Sequence, residues 1–317
     1  MTDDLYLLAD VGGTNTRVAL SRGRDIMPDT VRKYANRDFA NLAPTLQHYR
    51  AEEGCPTPDG ACVCVAGPIS NGVGSLTNLD WCIDEAQLAD ATGAATCAIL
   101  NDLQAQGHAL GHLPEDATEI VIDGPSVSGA RLVIGIGTGF NAAPVHETAH
   151  GRIVPASEAG HASLPVRTEA EMRLSTFVSS SHGFPAIEDV LSGRGLERVY
   201  KWLSTEAGGT SECTAAEIMA RIDSDPRAEA ALRQFIRTMG TVAGNLALDH
   251  LPLGGIYLVG GVSRHVGPHL QDKGFAEAFR DKGRFAGLME SFPVSLIVDD
   301  FAALTGCAAY LSECRSS

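Results

Sequence analysis

The first hundred residues carry short apolar runs that are separated by glycine turns and polar segments. The mostly apolar run Leu5–Val11 meets the turn Gly12-Gly13-Thr14-Asn15, and apolar and polar residues then alternate over residues 16–21. Alternation with a period of two is typical of strands, so we expect a β-hairpin closed by a glycine turn. A third strand is expected near residues 31–34.

Helical spacing first appears after these strands. Residues 39–53 place five apolar side chains on one helical face, namely Phe39, Leu42, Ala43, Leu46 and Tyr49. A strand is expected over residues 61–66, a second helix beginning at Asp84, and a further strand over residues 96–100. The sequence up to residue 66 therefore predicts the element order βββαβ, and the sequence after it adds a helix and a strand.

The rest of the chain repeats the combination of an apolar strand and a glycine turn. Arg131–Ile136 runs into Gly137-Thr138-Gly139, which suggests an internal structural duplication of the first hairpin. A Thr followed three residues later by Glu predicts helix starts at Thr168 and Thr214. Periodicity predicts the remaining elements, which are a helix over residues 228–250, strands over 256–259 and 294–298, and a helix over 305–311.

Length and charge limit the kind of protein this sequence can form. With 317 residues the chain exceeds the usual size of a single core, about 250–300 residues, so two packed units are expected. Lys and Arg number 24 against 39 Asp and Glu, which gives a formal net charge of −15 without any basic run. This acidic composition argues against DNA, RNA or an anionic membrane as the main partner.

No stretch of the sequence predicts a membrane segment or an export signal. The longest apolar runs fall well short of the roughly 18–20 residues that a membrane-spanning helix needs, and the N-terminus is acidic. A cytoplasmic protein is therefore expected. The 8 cysteines include no Cys-x-x-Cys pair and no histidine at zinc spacing, so most are interpreted as reduced, buried, small hydrophobic side chains.

Three strand ends run into turns rich in Gly and Thr. They are Asp10-Val-Gly-Gly-Thr-Asn15, Gly135-Ile-Gly-Thr-Gly139 and Val259-Gly-Gly-Val-Ser263. Such turns let backbone N–H groups approach an anion, so three of them favour nucleotide binding, although each one alone is more simply a tight turn. A P-loop is excluded because none of the 4 lysines follows a glycine in the required motif.

The string Asp10-Val-Gly-Gly-Thr-Asn-Thr-Arg17 resembles the first phosphate motif of sugar kinases in the actin-like ATPase superfamily. Over nearly its whole length the chain resembles the bacterial glucokinase family. The other matching segments follow in chain order: Thr77-Asn78, Ile99-Leu-Asn-Asp102, Ser157-Glu-Ala-Gly-His161, Glu188-Asp-Val-Leu-Ser-Gly193, Gly244-Asn-Leu-Ala-Leu248, Gly260-Gly261 and Asp281-Lys-Gly-Arg-Phe285.

This resemblance implies a two-domain α/β fold of the actin-like ATPase (ribonuclease H-like) type, with an interdomain cleft. It implies ATP-dependent phosphorylation of glucose at its 6-hydroxyl. From strand order and family together, a small domain is expected over residues 1–103 and 296–317, and a large one over 104–295. A homodimer is implied by the resemblance alone.

Transfer to a sugar hydroxyl needs a carboxylate that accepts its proton, and Asp102 is the candidate for this general base. It directly follows the predicted strand 96–100, although from the residues alone it could equally cap the next helix. The resemblance places Asp102 at the reacting hydroxyl and implies that the sugar is also contacted by Asn78, Asn101, Glu158, His161 and Glu188. Without the resemblance, Glu158 would be interpreted as a solvated acid and His161 as a core histidine. Glu188 would be interpreted as an acidic residue in the first turn of a helix that starts after Pro185.

The same resemblance assigns the glycine turns to ATP and Mg²⁺. Asp10 is expected to face the ion through water, and Thr14 and Thr138 to donate their hydroxyls to phosphates. Gly260 and Gly261 are expected to let adenosine approach the backbone closely. The full set of expected ATP-binding residues is Asp10, Gly12, Gly13, Thr14, Asn15, Gly137, Thr138, Gly139, Gly260 and Gly261.

Three positions depart from the family pattern. Asn141 stands where the family has the last glycine of a Gly-Thr-Gly-Leu-Gly turn, and it is expected to keep the turn because Asn tolerates left-handed backbone angles. Ser157 and Ala159 replace glycines on either side of Glu158, which leaves open a hexose other than glucose. No Cys-rich motif follows His161, unlike in the related ROK sugar kinases, so zinc is not expected.

Two other functions remain open from the sequence. One is a catalytically impaired protein that senses a sugar or nucleotide, and the other is an ATPase switch without a small-molecule acceptor. Repressor relatives of sugar kinases carry an added DNA-binding domain, for which no room is expected before the strand that begins at Leu5.

Overall fold

The computed structural model describes residues 4–67, 69–70, 72–76, 79–125 and 127–314. The strands are β1 Leu5–Val11, β2 Asn15–Arg22, β3 Asp25–Ile26, β4 Arg32–Ala35, β5 Gly60–Val65, β6 Ile69–Ser70, β7 Val73–Ser75, β8 Cys82–Asp84, β9 Thr96–Asn101, β10 Thr118–Ile122, β11 Arg131–Ile136, β12 Phe140–Thr148, β13 Gly151–Ile153, β14 Ile256–Val259 and β15 Val294–Ile297. The α-helices are α1 Leu42–Glu53, α2 Glu85–Thr92, α3 Asp102–Ala109, α4 Glu169–Ser179, α5 Gly193–Glu206, α6 Ala215–Ala220, α7 Pro226–His250, α8 Gly261–Val266, α9 Phe275–Arg280 and α10 Ala302–Cys314.

The chain divides into two compact units. The first contains Met1–Ala117, Glu147–Ala156 and Asp299–Ser317, and the second contains Thr118–His146 and Ser157–Val298. Each unit therefore holds more than one stretch of chain. The domain limits expected near residues 103 and 296 stay a prediction about the domains of the folded protein.

The first unit is built on a sheet with the order β3-β2-β1-β5-β9, in which β4 also pairs with β2. The predicted hairpin is confirmed, since β1 and β2 pair antiparallel from Leu5↔Arg22 to Val11↔Thr16. Strands β1, β5 and β9 are parallel to one another. The short strand β3 and the small sheet β6-β7-β8 were not predicted.

Alternate residues of β1 enter two different cores. Leu7 and Val11 pack on one face with side chains of α1 and α2, whereas Tyr6 and Leu8 pack on the other face with α3 and α10. This is the period of two that a strand requires, and because both faces are covered the strand is apolar almost throughout. The sheet is thus the middle layer of three.

Helices α3 and α10 approach closely because small residues line their contact. Gly306 of α10 lies against the backbone of Ala105 in α3, and a Cβ added at Gly306 would overlap the Ala105 carbonyl oxygen. A glycine at this position therefore sets the distance between the two helices. Since α3 begins at Asp102, the contact also determines where that carboxylate lies.

The second unit is built on a sheet with the order β10-β15-β14-β11-β12-β13. Its hairpin β11–β12 is antiparallel, and β11, β14 and β15 are parallel. The first sheet has the same arrangement, an antiparallel hairpin β1–β2 beside the parallel strands β5 and β9. The two sheets therefore have the common topology that the suggested duplication requires.

The cap signals in the sequence mark true helix starts. Asp84, Thr168 and Thr214 each form a capping box at the N-terminus of α2, α4 and α6. The long predicted helix is α7, which begins after the cap Asp225 with Pro226 in its first turn. Its apolar side chains enter one core together with those of α5 and α9.

Two further observations concern the whole described chain. No helix among the described residues is both long and apolar enough to cross a membrane. All 8 cysteines are free thiols, but only Cys62, Cys64 and Cys307 are buried. Because Cys82 and Cys314 are exposed and the others are intermediate, the expectation that most cysteines are buried was wrong.

Candidate active site

The predicted functional residues that the structure describes in the first unit lie at one edge of its sheet. Val11 pairs with Val65, and Val65 pairs with Asn101, so β1, β5 and β9 end side by side. The turn 12–15 and Asp102 follow directly after two of these ends, and Asp10 precedes one of them. Sequence positions about 90 residues apart are thereby brought to a common edge, as expected for the carboxyl ends of parallel strands.

The turn 12–15 is braced by a residue that sequence reasoning missed. Asn36 is only 3% exposed, its Nδ2 donates to the Gly12 carbonyl at 2.7 Å, and its backbone N–H donates to the Thr14 carbonyl at 2.9 Å. The Thr16 hydroxyl donates to Asn36 Oδ1 at 2.8 Å. Gly13 and Thr14 stay exposed at the tip of the turn. A buried side chain therefore fixes the turn from behind and leaves its tip open to an anion.

Asp10 is the carboxylate at the end of β1. Arg17 Nη1 lies 3.7 Å from Asp10 Oδ2, and the Cys64 thiol donates to Asp10 Oδ1 at 3.6 Å. The side chain of Asp10 keeps 24% of its surface exposed. A partly exposed carboxylate beside a phosphate turn is a suitable ligand for Mg²⁺, which takes few protein ligands and keeps several waters.

Asp102 is the first residue of α3, but it is not the cap of that helix. Asn101 is the N-cap, because its Oδ1 accepts from the Leu103 N–H at 3.0 Å and Gln104 completes the capping box. The alternative that Asp102 itself caps the helix was therefore wrong. The cap leaves Asp102 in the first turn, where its Oδ1 accepts from the Leu103 N–H at 2.9 Å.

Burial raises the pKa of Asp102 from its ordinary value of 3.8 to about 6. The negative charge of Asp10 raises this pKa further, while the hydrogen bond from the Leu103 N–H lowers it. A carboxylate with a pKa of about 6 is ionised at neutral pH and accepts a proton more readily than an ordinary aspartate. Asp102 thus has the electrostatic setting of a general base.

Asn101 has less freedom than the sequence suggested. Its Nδ2 donates to the Gly67 carbonyl at 2.9 Å while its Oδ1 caps α3. Both polar groups of the side chain are thus engaged within the protein, and its contact with sugar stays a prediction. The predicted contact Asn78 lies outside the described residues.

The two glycine turns of the second unit also come together. Gly135 of β11 pairs with Val259 of β14, so the turns 137–139 and 260–261 follow neighbouring parallel strands. Gly260 adopts φ 98° and lies so close to β11 that an added Cβ would overlap the Ile136 carbonyl oxygen. A Cβ at Gly137 or Gly261 would meet nothing within 4 Å, which leaves both glycines open to a ligand.

The N-terminus of α5 adds to this arrangement and was missed from the sequence. The Gly193 N–H donates to the Gly137 carbonyl at 3.0 Å, and the Ser192 hydroxyl caps the helix by accepting from the Gly195 N–H at 3.0 Å. The glycines at the start of α5 hide its helical pattern. The apolar positions Leu196, Val199 and Tyr200, spaced three and four apart, were the signal that could have revealed it.

Glu188 lies in a single turn of 3-10 helix, Ile187–Asp189, rather than in the first turn of an α-helix. Its Oε2 accepts from the Phe140 N–H at 3.0 Å, next to the turn 137–139. The neighbouring Asp189 is buried and holds this turn in place by accepting from Arg198 Nη1 at 2.9 Å and from the Ala186 N–H at 3.0 Å. Glu188, which only the family resemblance assigned to the sugar, is thus fixed beside a predicted phosphate turn.

Glu158 precedes and His161 ends a single turn of 3-10 helix, Ala159–His161, that follows β13. Both side chains are about two-thirds exposed, at 66% and 67%. Glu158 Oε2 and His161 Nε2 are 3.9 Å apart, so the pair can face one ligand. The interpretation of His161 as a core histidine was wrong. Asn141 does not use the left-handed backbone that Asn tolerates, because it pairs with Gly135 as an ordinary strand residue of β12.

Among the described residues, no group of three or more His, Cys, Asp or Glu is placed to hold a metal ion. The sheet edge of each unit instead carries glycine turns with hydroxyl side chains, and carboxylates that stand apart from one another. The turns of each edge can bind phosphates through backbone N–H groups, and Asp102 of the first edge can accept a proton.

Comparison with known proteins agrees with this geometry. The family model described as Glucokinase matches residues 7–314. A glucokinase of Mesorhizobium japonicum is 33% identical over 309 residues, which cover 96% of this chain and 90% of that protein. The crystal structure of a glucokinase from an Antarctic psychrotroph is 31% identical, has a TM-score of 0.87 and covers 99% of both chains.

A glucokinase of Balamuthia mandrillaris, crystallised with glucose, shares the fold at 22% identity and a TM-score of 0.81, with 98% of this chain and 93% of that one covered. The expected two-domain sugar kinase fold is thereby confirmed. Because a family model matches nearly the whole sequence and a relative exceeds 30% identity, the chain belongs to the glucokinase family.

Proposed function

We propose that this protein carries out ATP-dependent phosphorylation of glucose at the 6-hydroxyl, with Asp102 as the general base. The observation that carries the proposal is the setting of Asp102, which shares a sheet edge with the turn 12–15 and has a pKa raised to about 6. A phosphate turn and a proton acceptor are the two components that transfer to an alcohol requires.

In this reaction the 6-hydroxyl oxygen forms a bond to the γ-phosphorus of ATP, and the bond from that phosphorus to the β,γ-bridging oxygen breaks. ADP leaves with the electron pair of the broken bond. The hydroxyl proton passes to the carboxylate of Asp102, because a neutral alcohol is a weak nucleophile until its proton is accepted. The products are glucose 6-phosphate and ADP.

The phosphates of ATP are bound mainly by backbone N–H groups and hydroxyls in this proposal. Thr14 and Thr138 are exposed at the tips of their turns, and Gly137 and Gly261 leave room for a close approach. Asp10 would hold Mg²⁺ through water, and the ion when bound neutralises part of the phosphate charge. The turns contain no lysine, so in a chain of net charge −15 these groups supply the local positive potential.

Glu158, His161 and Glu188 bind the sugar hydroxyls in this proposal. Carboxylates accept from hydroxyls, and a neutral imidazole can either donate or accept, which suits neighbouring hydroxyls of a sugar. The homodimer, the cytoplasmic location and the lack of a nucleic-acid or membrane partner stay predictions.

Rates of ADP formation with a panel of hexoses test the proposed function. We expect turnover that depends on glucose, with other hexoses slower at equal concentration. Hydrolysis of ATP that is unaffected by any sugar would instead indicate an ATPase switch, and no hydrolysis under any condition would indicate a sensor. Faster turnover of another hexose would move the assignment to that sugar.

The pH dependence of kcat/KM for glucose should follow the ionisation of Asp102. Below a pH of about 6 its carboxyl is protonated and cannot accept the hydroxyl proton, so kcat/KM should fall about tenfold per pH unit. Above that pH the profile should be level. Initial rates between pH 5 and 8 with saturating Mg·ATP measure this, and a profile that stays flat down to pH 5 would contradict the role of Asp102.

The variant Gly139→Ala should impair glucose binding more than ATP binding. A Cβ at Gly139 would overlap Glu188 Oε2, which must then leave the Phe140 N–H. We expect the KM for glucose to rise roughly tenfold, because the sugar loses about one hydrogen bond to the charged Glu188. Gly137→Ala is the matched comparison, since its Cβ meets no protein atom and should raise the KM for ATP instead. If Gly139→Ala and Gly137→Ala changed the KM for glucose and the KM for ATP to the same extent, the assignment of Gly139 to glucose binding and of Gly137 to ATP binding would be wrong.

A further inference from the structure

The three departures from the family pattern, Asn141, Ser157 and Ala159, contact one another. Asn141 Oδ1 accepts from the Ala159 N–H at 3.0 Å, and Asn141 Nδ2 donates to the Ser157 carbonyl at 2.5 Å. One side chain therefore holds the backbone on both sides of Glu158. A glycine at position 141 could form neither of these bonds.

The Ser157 hydroxyl ties the same loop to β12. Its oxygen lies 2.5 Å from the Ala142 carbonyl oxygen and 3.0 Å from Asn141 Oδ1, and its single proton serves one acceptor at a time. Gly160 lies against β12 as well, so closely that an added Cβ would overlap the Phe140 carbonyl oxygen. The loop 157–160 is thus fixed along the first three residues of β12.

The fixed loop leaves the side chain of Glu158 exposed to solvent. Glu158 is 66% exposed, although the residues on either side of it are bonded to Asn141. A charged side chain on a rigid backbone loses less conformational entropy when it binds a ligand than one on a mobile loop. The start of β12 also holds the second carboxylate, because the Phe140 N–H donates to Glu188 at 3.0 Å.

We propose that Asn141 is a positioning residue for glucose, which acts through Ser157 and Ala159 by fixing the backbone that carries Glu158. The inference rests on the proposed function, in which Glu158 binds the sugar. Asn141 itself touches no reacting atom. It sets the affinity for the sugar, so its removal should change the KM for glucose and leave the KM for ATP within about twofold.

Asn141→Ala tests this in two backgrounds. In the otherwise unchanged protein we expect the KM for glucose to rise roughly tenfold, because the sugar loses about one hydrogen bond to the charged, displaced Glu158. In a Glu158→Gln background the same substitution should have less than a twofold effect, because the carboxylate that Asn141 positions is already gone. His146→Ala, an exposed change on the same strand β12, is the control and should alter neither constant.

Hydrogen exchange tests the positioning without any substrate. The Ala159 N–H is bonded to Asn141 Oδ1, so exchange of the segment 157–161 should be at least roughly tenfold faster in Asn141→Ala and unchanged in His146→Ala. Unchanged exchange in Asn141→Ala, or an equal rise of the KM for glucose in both backgrounds, would overturn the inference. Failure of the unchanged protein to turn over glucose would instead count against the proposed function, and the exchange rates would still decide whether Asn141 fixes the loop.

Discussion

Asp102→Asn should lower kcat for glucose phosphorylation at least roughly 100-fold, which is the usual size of a general-base effect. The substitution keeps the size of the side chain and the oxygen that accepts from the Leu103 N–H. It removes the negative charge and, with it, the ability to accept a proton. The KM for ATP should change little, because the carboxyl of Asp102 is not assigned to the phosphates.

The same variant should be more stable than the unchanged protein at pH 8. Burial and Asp10 raise the folded-state pKa of Asp102 to about 6, so its ionised form destabilises the fold. Replacing it with a neutral amide should add about 1–3 kcal/mol to the free energy of unfolding. The gain should shrink as the pH falls from about 6 toward 4, because the wild-type carboxyl then becomes neutral as well.

Urea unfolding and steady-state rates at pH 5 and 8 measure both effects. Asp116→Asn, an exposed aspartate of the same unit, is the control and should change neither quantity. Turnover close to that of the unchanged protein would remove Asp102 from the mechanism. A variant that is inactive but no more stable at pH 8 would contradict the raised pKa.

Gly306→Ala should destabilise the protein, although the same change usually stabilises a helix by about 1 kcal/mol. The added Cβ would overlap the Ala105 carbonyl oxygen, so α3 and α10 must move apart. Overpacking of this kind costs about 1–3 kcal/mol. Because α3 begins at Asp102, kcat should also fall while the KM for ATP changes less.

Gly287→Ala is the matched control for Gly306→Ala. Gly287 has right-handed helical backbone angles, and a Cβ there would meet no atom within 4 Å. Its free energy of unfolding in urea should equal or exceed that of the unchanged protein. If Gly306→Ala were as stable as this control, the close contact of α3 with α10 would not limit the fold.

Local signals in the sequence were sufficient for much of the fold. The capping residues Asp84, Thr168 and Thr214 bond to residues three positions away, so the pattern contains both partners. The hairpin β1–β2 is likewise closed by a turn within one short segment. The types of the elements that were predicted followed from periodicity, because each of those strands and helices has its own apolar face.

Contacts between distant segments could not be predicted in this way. Asn36 braces the turn 12–15 only because β4 pairs with β2, and nothing around residue 36 signals that role. The bond from the Phe140 N–H to Glu188 joins residues 48 positions apart. The role of Asn101 as the cap of α3 was missed because it depends on where that helix begins.

The three departures from the family pattern also interact through contacts between distant segments, which the sequence alone could not predict. From the sequence, Asn141, Ser157 and Ala159 were three separate substitutions, one after a predicted phosphate turn and two beside a predicted sugar contact. In the structure they form one hydrogen-bonded group around Glu158. Their physical meaning depends on the approach of the loop 157–160 to β12, which no local pattern describes.

Comparing ADP formation with glucose and with 6-deoxyglucose at equal concentration tests whether the phosphoryl group is transferred to the 6-hydroxyl. With glucose we expect one ADP for each glucose 6-phosphate formed. With 6-deoxyglucose, which lacks the hydroxyl that gives its proton to Asp102, we expect no increase over the rate without sugar. Equal ADP formation with both sugars, or the same rate with no sugar, would contradict transfer to the 6-hydroxyl.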